Sequence, residues 1–143
     1  MTVKMLVNID VDDLAKATDF YCKAFNLHVG RRFGADAVEL LGGTSPIYLL
    51  VKPNGTTASA TSRHLRSYAR HWTPVHLDFV VDEIEGALDR ARNAGARLET
   101  QVKTNNWGKI AMLADPFGHG ICLIEFVGKG YDEIATAPDQ KHR

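Results

Sequence analysis

The sequence matches itself. Displaced by 70 positions, Leu6-Val7-Asn8-Ile9-Asp10-Val11-Asp12-Asp13-Leu14 falls on His76-Leu77-Asp78-Phe79-Val80-Val81-Asp82-Glu83-Ile84. Asp12 then meets Asp82, Ala17 meets Ala87, Asp19 meets Asp89 and Ala24 meets Ala94. Displaced by 74 positions, Ile47-Tyr48-Leu49-Leu50 falls on Ile121-Cys122-Leu123-Ile124, so a four-residue indel separates the two anchors. Repeats of this kind constrain a fold more than any local propensity. Two copies are too few for a solenoid, which leaves a pseudo-twofold pair of modules.

Each copy opens with a strand and continues with a helix. Val75, Leu77, Phe79 and Val81 alternate with His76, Asp78 and Val80, the period of a pleated segment with one face on a core. Pro74 opens this run, where a missing N–H costs least. In the first copy residues 3–11 are the expected strand, with Val7, Ile9 and Val11 opposite Leu6, Asn8 and Asp10. Asp12 or Asp13 is a suitable N-cap. The helix expected over 14–25 carries Leu14, Ala17, Phe20, Tyr21 and Phe25 on one stripe, which assigns these aromatics to the core. Strands are expected over 27–33, 36–41 and 46–52, with Gly42-Gly43 as a turn.

The second copy repeats this order. A helix is expected from Asp82 or Glu83 to Asn93, stopped by Gly95, followed by strands over 97–102, 109–114 and 121–127. Asp115-Pro116-Phe117-Gly118-His119-Gly120 forms the turn before the last strand and is assigned a structural role. The chain therefore divides into modules over about 3–52 and 74–127, a connector over 53–73 and a tail over 128–143, in which a short helix is expected from Gly128 and the last residues read as disordered. The connector begins as a polar, turn-rich run and continues as a His-, Arg-, Tyr- and Trp-bearing stretch that can hold a short helix. A connector this long is either a surface linker or a lid.

Composition sets the outer bounds. The chain has 143 residues, with 45% hydrophobic and 24% charged, those of an ordinary globule. Lys and Arg balance Asp and Glu at 17 each, so no global field favours nucleic acid or an anionic membrane. Cys22 and Cys122 have no metal or redox spacing. The N-terminal residues form no long apolar run, so a cytoplasmic location is expected.

Val11-Asp12-Asp13-Leu14 with Asp19-Phe20-Tyr21, His76 leading its strand, Gly95-Ala96, and the 115–120 turn follow one another in a doubled strand–helix–three-strand order. In this the chain resembles the vicinal oxygen chelate superfamily, which includes glyoxalase I, bleomycin-resistance proteins, fosfomycin-resistance proteins and extradiol dioxygenases. The resemblance covers about residues 3–127. It implies an α+β fold in which two βαβββ modules form an open, cupped mixed β-sheet with helices on its convex side. It also implies a homodimer, and a concave face that holds a small molecule and often a divalent metal. The metal-ligand positions of the family fall on Leu6, Tyr48, His76 and Cys122, and of these the sequence keeps only His76 as a usual ligand. Leu6 offers no donor, a neutral Tyr48 is a poor one, and one thiolate with one imidazole falls short of a zinc set.

The sequence thus predicts a metal-independent small-molecule binding protein for an aromatic or amphipathic ligand, with no cofactor. Its expected ligand-binding residues are Asn8, Tyr48, His76, Asp78, Trp107 and Cys122. Trp107 and Trp72 are read as rim aromatics that stack on a flat ligand or pack at an edge. Arg31, Arg32, Arg63, Arg66 and Arg70 could pair with an anion, although scattered surface cations are commoner. The neutral net charge argues against a strongly cationic ligand. The alternative is an enzyme, a lyase or isomerase with an atypical or absent metal site, in which His76 serves as ligand or base.

Overall fold

The computed structural model describes residues 1–71 and 73–136. Trp72, read above as a rim aromatic, and the end of the tail lie outside them. The first module comprises β1 (Val7–Val11), α1 (Leu14–Phe25), β2 (His28–Phe33), β3 (Ala37–Leu41) and β4 (Ile47–Val51). The second comprises β5 (Leu77–Val80), α2 (Ile84–Ala94), the short β6 (Arg97–Leu98) and β7 (Lys103–Thr104), then β8 (Gly108–Ala114) and β9 (Gly120–Phe126). A 3₁₀ turn at Gly130–Glu133 follows, where a short helix was expected.

Each module forms its own mixed sheet. The orders are β1-β4-β3-β2 and β5-β9-β8-β6, with β7 added on β8. In both, the first strand runs parallel to the last, and the remaining pairs are antiparallel. The registers are equivalent too: Asn8 lies opposite Tyr48, and Asp78 lies opposite Cys122. The expected open α+β architecture is therefore present, with the ladder interrupted between β1 and β5, which edge their respective sheets.

The helices form because their apolar positions recur on one stripe and their ends are capped. Asp13 accepts from the Lys16 N–H at 3.0 Å, and Glu83 accepts from Glu85 and Gly86. Ala17, Phe20, Tyr21 and Ala24 of α1 are buried, as are Ile84, Ala87, Leu88 and Ala91 of α2. Small residues on both stripes let the helices pack closely, and one apolar core runs through both modules. Phe25 stacks on Phe79 with centroids 3.8 Å apart, which ties the end of α1 to the first strand of the other module.

Three expectations about elements need correction. Residues 3–6 are outside β1, because the pairing with β4 begins at Val7 with Ile47. Val75 and His76 are outside β5 for the same reason, since the β9 ladder starts at Leu77 with Ile121. The strand expected over 97–102 is broken into β6 and β7, which bond to different stretches of β8. The connector holds no helix among its described residues and carries one isolated bridge, Thr57 with Leu65.

Candidate functional site

The parallel ladders fix which backbone groups of β1 and β5 remain free. Val7 N–H donates to Pro46, and Lys52 N–H donates to Val11. In a parallel pair alternate residues face the partner, so the N–H and C=O of Asn8 and Asp10 point away from β4. Val81 N–H donates to Ile124, which by the same alternation turns Asp78 away from β9. The modules pack through α1 and α2, and the outer edges of β1 and β5 are not paired with each other.

A cavity of about 940 Å³ lies at the seam between the modules. Its walls include Asn8 and Ile9 of β1, His76 and Leu77 around the start of β5, and Ile121 of β9, with Tyr21 of α1 also lining it. The connector forms a further wall with Leu65, Arg66, Tyr68 and His71. Of the two roles considered for the connector, a strap over the cavity matches its position. Arg66 pairs with Asp10 at 2.8 Å on the first module, and Arg70 pairs with Glu99 at 2.6 Å on the second. Tyr68 donates its hydroxyl to Lys52 C=O at 2.6 Å, and His71 N–H donates to Gly118 C=O at 3.2 Å.

The turn before β9 carries the structural role expected of it. Asp115 is buried and accepts from the N–H groups of Phe117 and His119 and from the Tyr21 hydroxyl. Burial and the Asp115 carboxylate push the Tyr21 phenol well above its ordinary value, which keeps it a donor. His119 Nε2 lies 2.7 Å from the Asp10 carbonyl, so this imidazole closes part of the β1 edge. His71 meets His119 edge-to-face at 4.7 Å. Burial and the neighbouring His119 lower the His71 imidazole below its ordinary value.

The expected site residues separate into three places. Asn8 and His76 both line the cavity. Asp78 and Cys122 stand beside His76: Nε2 of His76 is 3.1 Å from Oδ1 of Asp78, and one donor atom from each of the three lies within 4.8 Å of the others. Burial and the Asp78 carboxylate push the Cys122 thiol up to about 11, so it is a neutral thiol near pH 7. Tyr48 lies on the face of the first module, where it donates to Glu39 at 2.7 Å. Trp107 is not a lining residue; it packs against Phe126 and Tyr131, because the 3₁₀ turn brings Tyr131 to within 5.1 Å of its ring.

Glu39 was missed. It is buried on β3 and takes a two-point contact from the Arg31 guanidinium as well as the Tyr48 hydroxyl. Those bonds, Arg31 first, hold its carboxyl down to about 2. The one signal was a carboxylate amid the apolar run Ala37-Val38-Glu39-Leu40-Leu41. The strap pairings of Arg66 and Arg70 had no local signal, since their partners are 56 and 29 residues away.

A family profile described as a glyoxalase-like domain matches residues 6–124. The chain belongs to the glyoxalase-like domain family. This family match agrees with the resemblance to the vicinal oxygen chelate superfamily, and solved structures share the fold. This glyoxalase-like chain is similar to a lactoylglutathione lyase from Agrobacterium tumefaciens, with a TM-score of 0.61 at 19% identity over 87% of this chain and 94% of that one. It is also similar to a fosfomycin resistance protein from Listeria monocytogenes, with a TM-score of 0.67 at 15% identity over 89% and 95%. At these identities the likeness concerns the fold alone. An uncharacterised protein of Mycobacterium bovis is 33% identical over 141 residues, covering 89% of this chain and 86% of that protein.

The four metal-ligand positions that the resemblance implies, Leu6, Tyr48, His76 and Cys122, do not form one ligand set in this glyoxalase-like domain. Leu6 has no donor, and the Tyr48 hydroxyl is engaged by Glu39 on the face of the other module from His76. What remains is a compact nitrogen, oxygen and sulfur trio within one module, at His76, Asp78 and Cys122.

Proposed function

We propose that the protein is a metal-independent small-molecule binding protein whose ligand, aromatic or amphipathic, occupies the seam cavity. The observation that carries this reading is the cavity itself: about 940 Å³, with apolar surface from Leu6, Ile9, Leu65, Leu77 and Ile121 set among polar groups that include Asn8 and His76. Pockets with few polar groups on apolar walls are the usual form of small-molecule sites. Sequestration or resistance follows as the role, by analogy with the fosfomycin resistance protein of the same fold. We place the protein in the cytoplasm as a homodimer, in which exposed Val80 and Met112 of the second sheet would be covered.

The test is titration of the EDTA-treated protein with an environment-sensitive apolar dye such as Nile red. Saturable binding supports the reading, and Val75→Trp should weaken it, because Val75 is exposed at the cavity wall and its replacement leaves the core intact. Saturable binding untouched by this substitution, or no binding, would count against it. Light scattering of the purified protein tests the dimer.

The contact between His76 and Asp78 favours a second reading, an enzyme of the lyase or isomerase type. Asp78 would orient the imidazole as a base, or the pair would join Cys122 in holding a metal. A metal bound one-to-one after purification, and lost in His76→Ala, would select this reading over the first.

A further inference from the structure

The seam cavity carries more information about its ligand than its size. Among the described lining residues only Asp10 and Arg66 have fixed charges, and they pair with each other at 2.8 Å. His76, which also lines it, has Asp78 at 3.1 Å. A charged ligand would therefore lose water without finding an unpaired countercharge, a large penalty on apolar walls.

The cavity offers the Asn8 side chain and, beside it, main-chain groups of β1 that β4 does not use. It runs beside β1, whose outer edge faces no strand among the described residues, so Asn8 and Asp10 direct main-chain groups toward it, with His76 at the start of β5 on the same wall. The Asp10 carbonyl is already met by His119, which shows that a side-chain group can reach this edge and bond to it. A strand edge offers donors and acceptors in alternation, and a ligand satisfies both only if it carries both.

We propose that the seam cavity selects an uncharged, ring-bearing molecule with an amide-like pair, one N–H donor beside one C=O acceptor, that bonds to the free edge of β1 beside the start of β5. The chemical class is an aromatic carboxamide or lactam. Ring-bearing follows from Tyr68 and His71 on the strap wall, whose rings already pack edge-on to His119 and can do the same to a guest. This inference rests on the cavity being the binding site and adds which polarity it accepts.

The experiment compares four probes built on one ring: 1-naphthamide, 1-naphthoate, 1-naphthylmethylammonium and 1-methylnaphthalene. Each is titrated into the full EDTA-treated chain near neutral pH, with main-chain amide resonances followed by NMR. Naphthamide is expected to bind at least about tenfold tighter than each of the others, and to move the resonances of Asn8, Asp10 and His76. If the naphthoate or the ammonium compound binds as tightly, or if the moved resonances lie on the faces around Tyr48 or Trp107, the inference is overturned. If methylnaphthalene equals naphthamide, the cavity binds ligands without using the β1 edge, which overturns the inference and leaves the proposed function standing. If none of the four binds while Nile red does, the amide selectivity is overturned alone; if no compound binds, both fail.

Discussion

The Tyr21 hydroxyl on α1 donates to the Asp115 carboxylate in the turn before β9, joining residues 94 positions apart across the two modules. Asp115 also holds the Phe117 and His119 N–H groups, so one carboxylate organises the turn and fastens it to the opposite helix. Tyr21→Phe removes one donor and leaves the other two, and should destabilise by about 1–3 kcal/mol. Asp115→Ala orphans three donors and should cost roughly 3 kcal/mol or more. Urea unfolding of both variants checks the order; equal losses would show that the carboxylate does nothing beyond receiving the phenol.

Gly118 tests the seating of the strap. Its φ is +82°, and a Cβ there would fall directly on the Ala69 carbonyl. Gly118→Ala should therefore destabilise by about 1–3 kcal/mol and displace the strap. Hydrogen exchange should quicken at His71, whose N–H bonds to the Gly118 carbonyl. Unchanged exchange at His71 would show that the strap is not seated on this turn.

Acidification should weaken the fold in two stages. Burial lowers His71 below its ordinary 6.5. Below that pH the unfolded chain therefore takes up a proton that the folded chain resists, and stability falls as pH falls. Glu39 is depressed from 4.5 to about 2, so its contribution is intact above 4.5 and is lost as pH descends toward 2. Melting temperature should drop between about pH 7 and 5 in the parent and less in His71→Gln. Identical profiles would sink the assignment to His71.

Added zinc or nickel should shift the melting temperature of the EDTA-treated protein by less than about 1 °C if no metal is bound in the folded state, by mass action. A larger saturable shift, absent in Cys122→Ser and in His76→Ala, would instead favour the trio at His76, Asp78 and Cys122.

The fold was legible because its signals are periodic. The stripe of Leu14, Ala17, Phe20, Tyr21 and Phe25 specifies α1 with the same limits that it has in the structure. The repeat specifies the common topology, because matched residues take matched registers. Strand ends were less legible: Leu6 and Val75 have the right pattern but no partner within the ladder. Within the site, the alignment of Leu6-Val7-Asn8 with His76-Leu77-Asp78 places Asn8 on β1 and His76 just before β5, and both line the cavity. Ion pairs such as Arg66 with Asp10 leave no periodic trace, because they depend on how the connector crosses the modules. Trp107 looked like a rim residue because its partner, Tyr131, lies in a tail with no pattern of its own.

The missing ladder between β1 and β5 also bears on tolerance. Widening that gap would break no strand-to-strand hydrogen bond, whereas widening a continuous sheet would break a row of them. Under the proposed function, resistance to a wider guest would come from the strap pairings of Arg66 and Arg70 rather than from strand pairing.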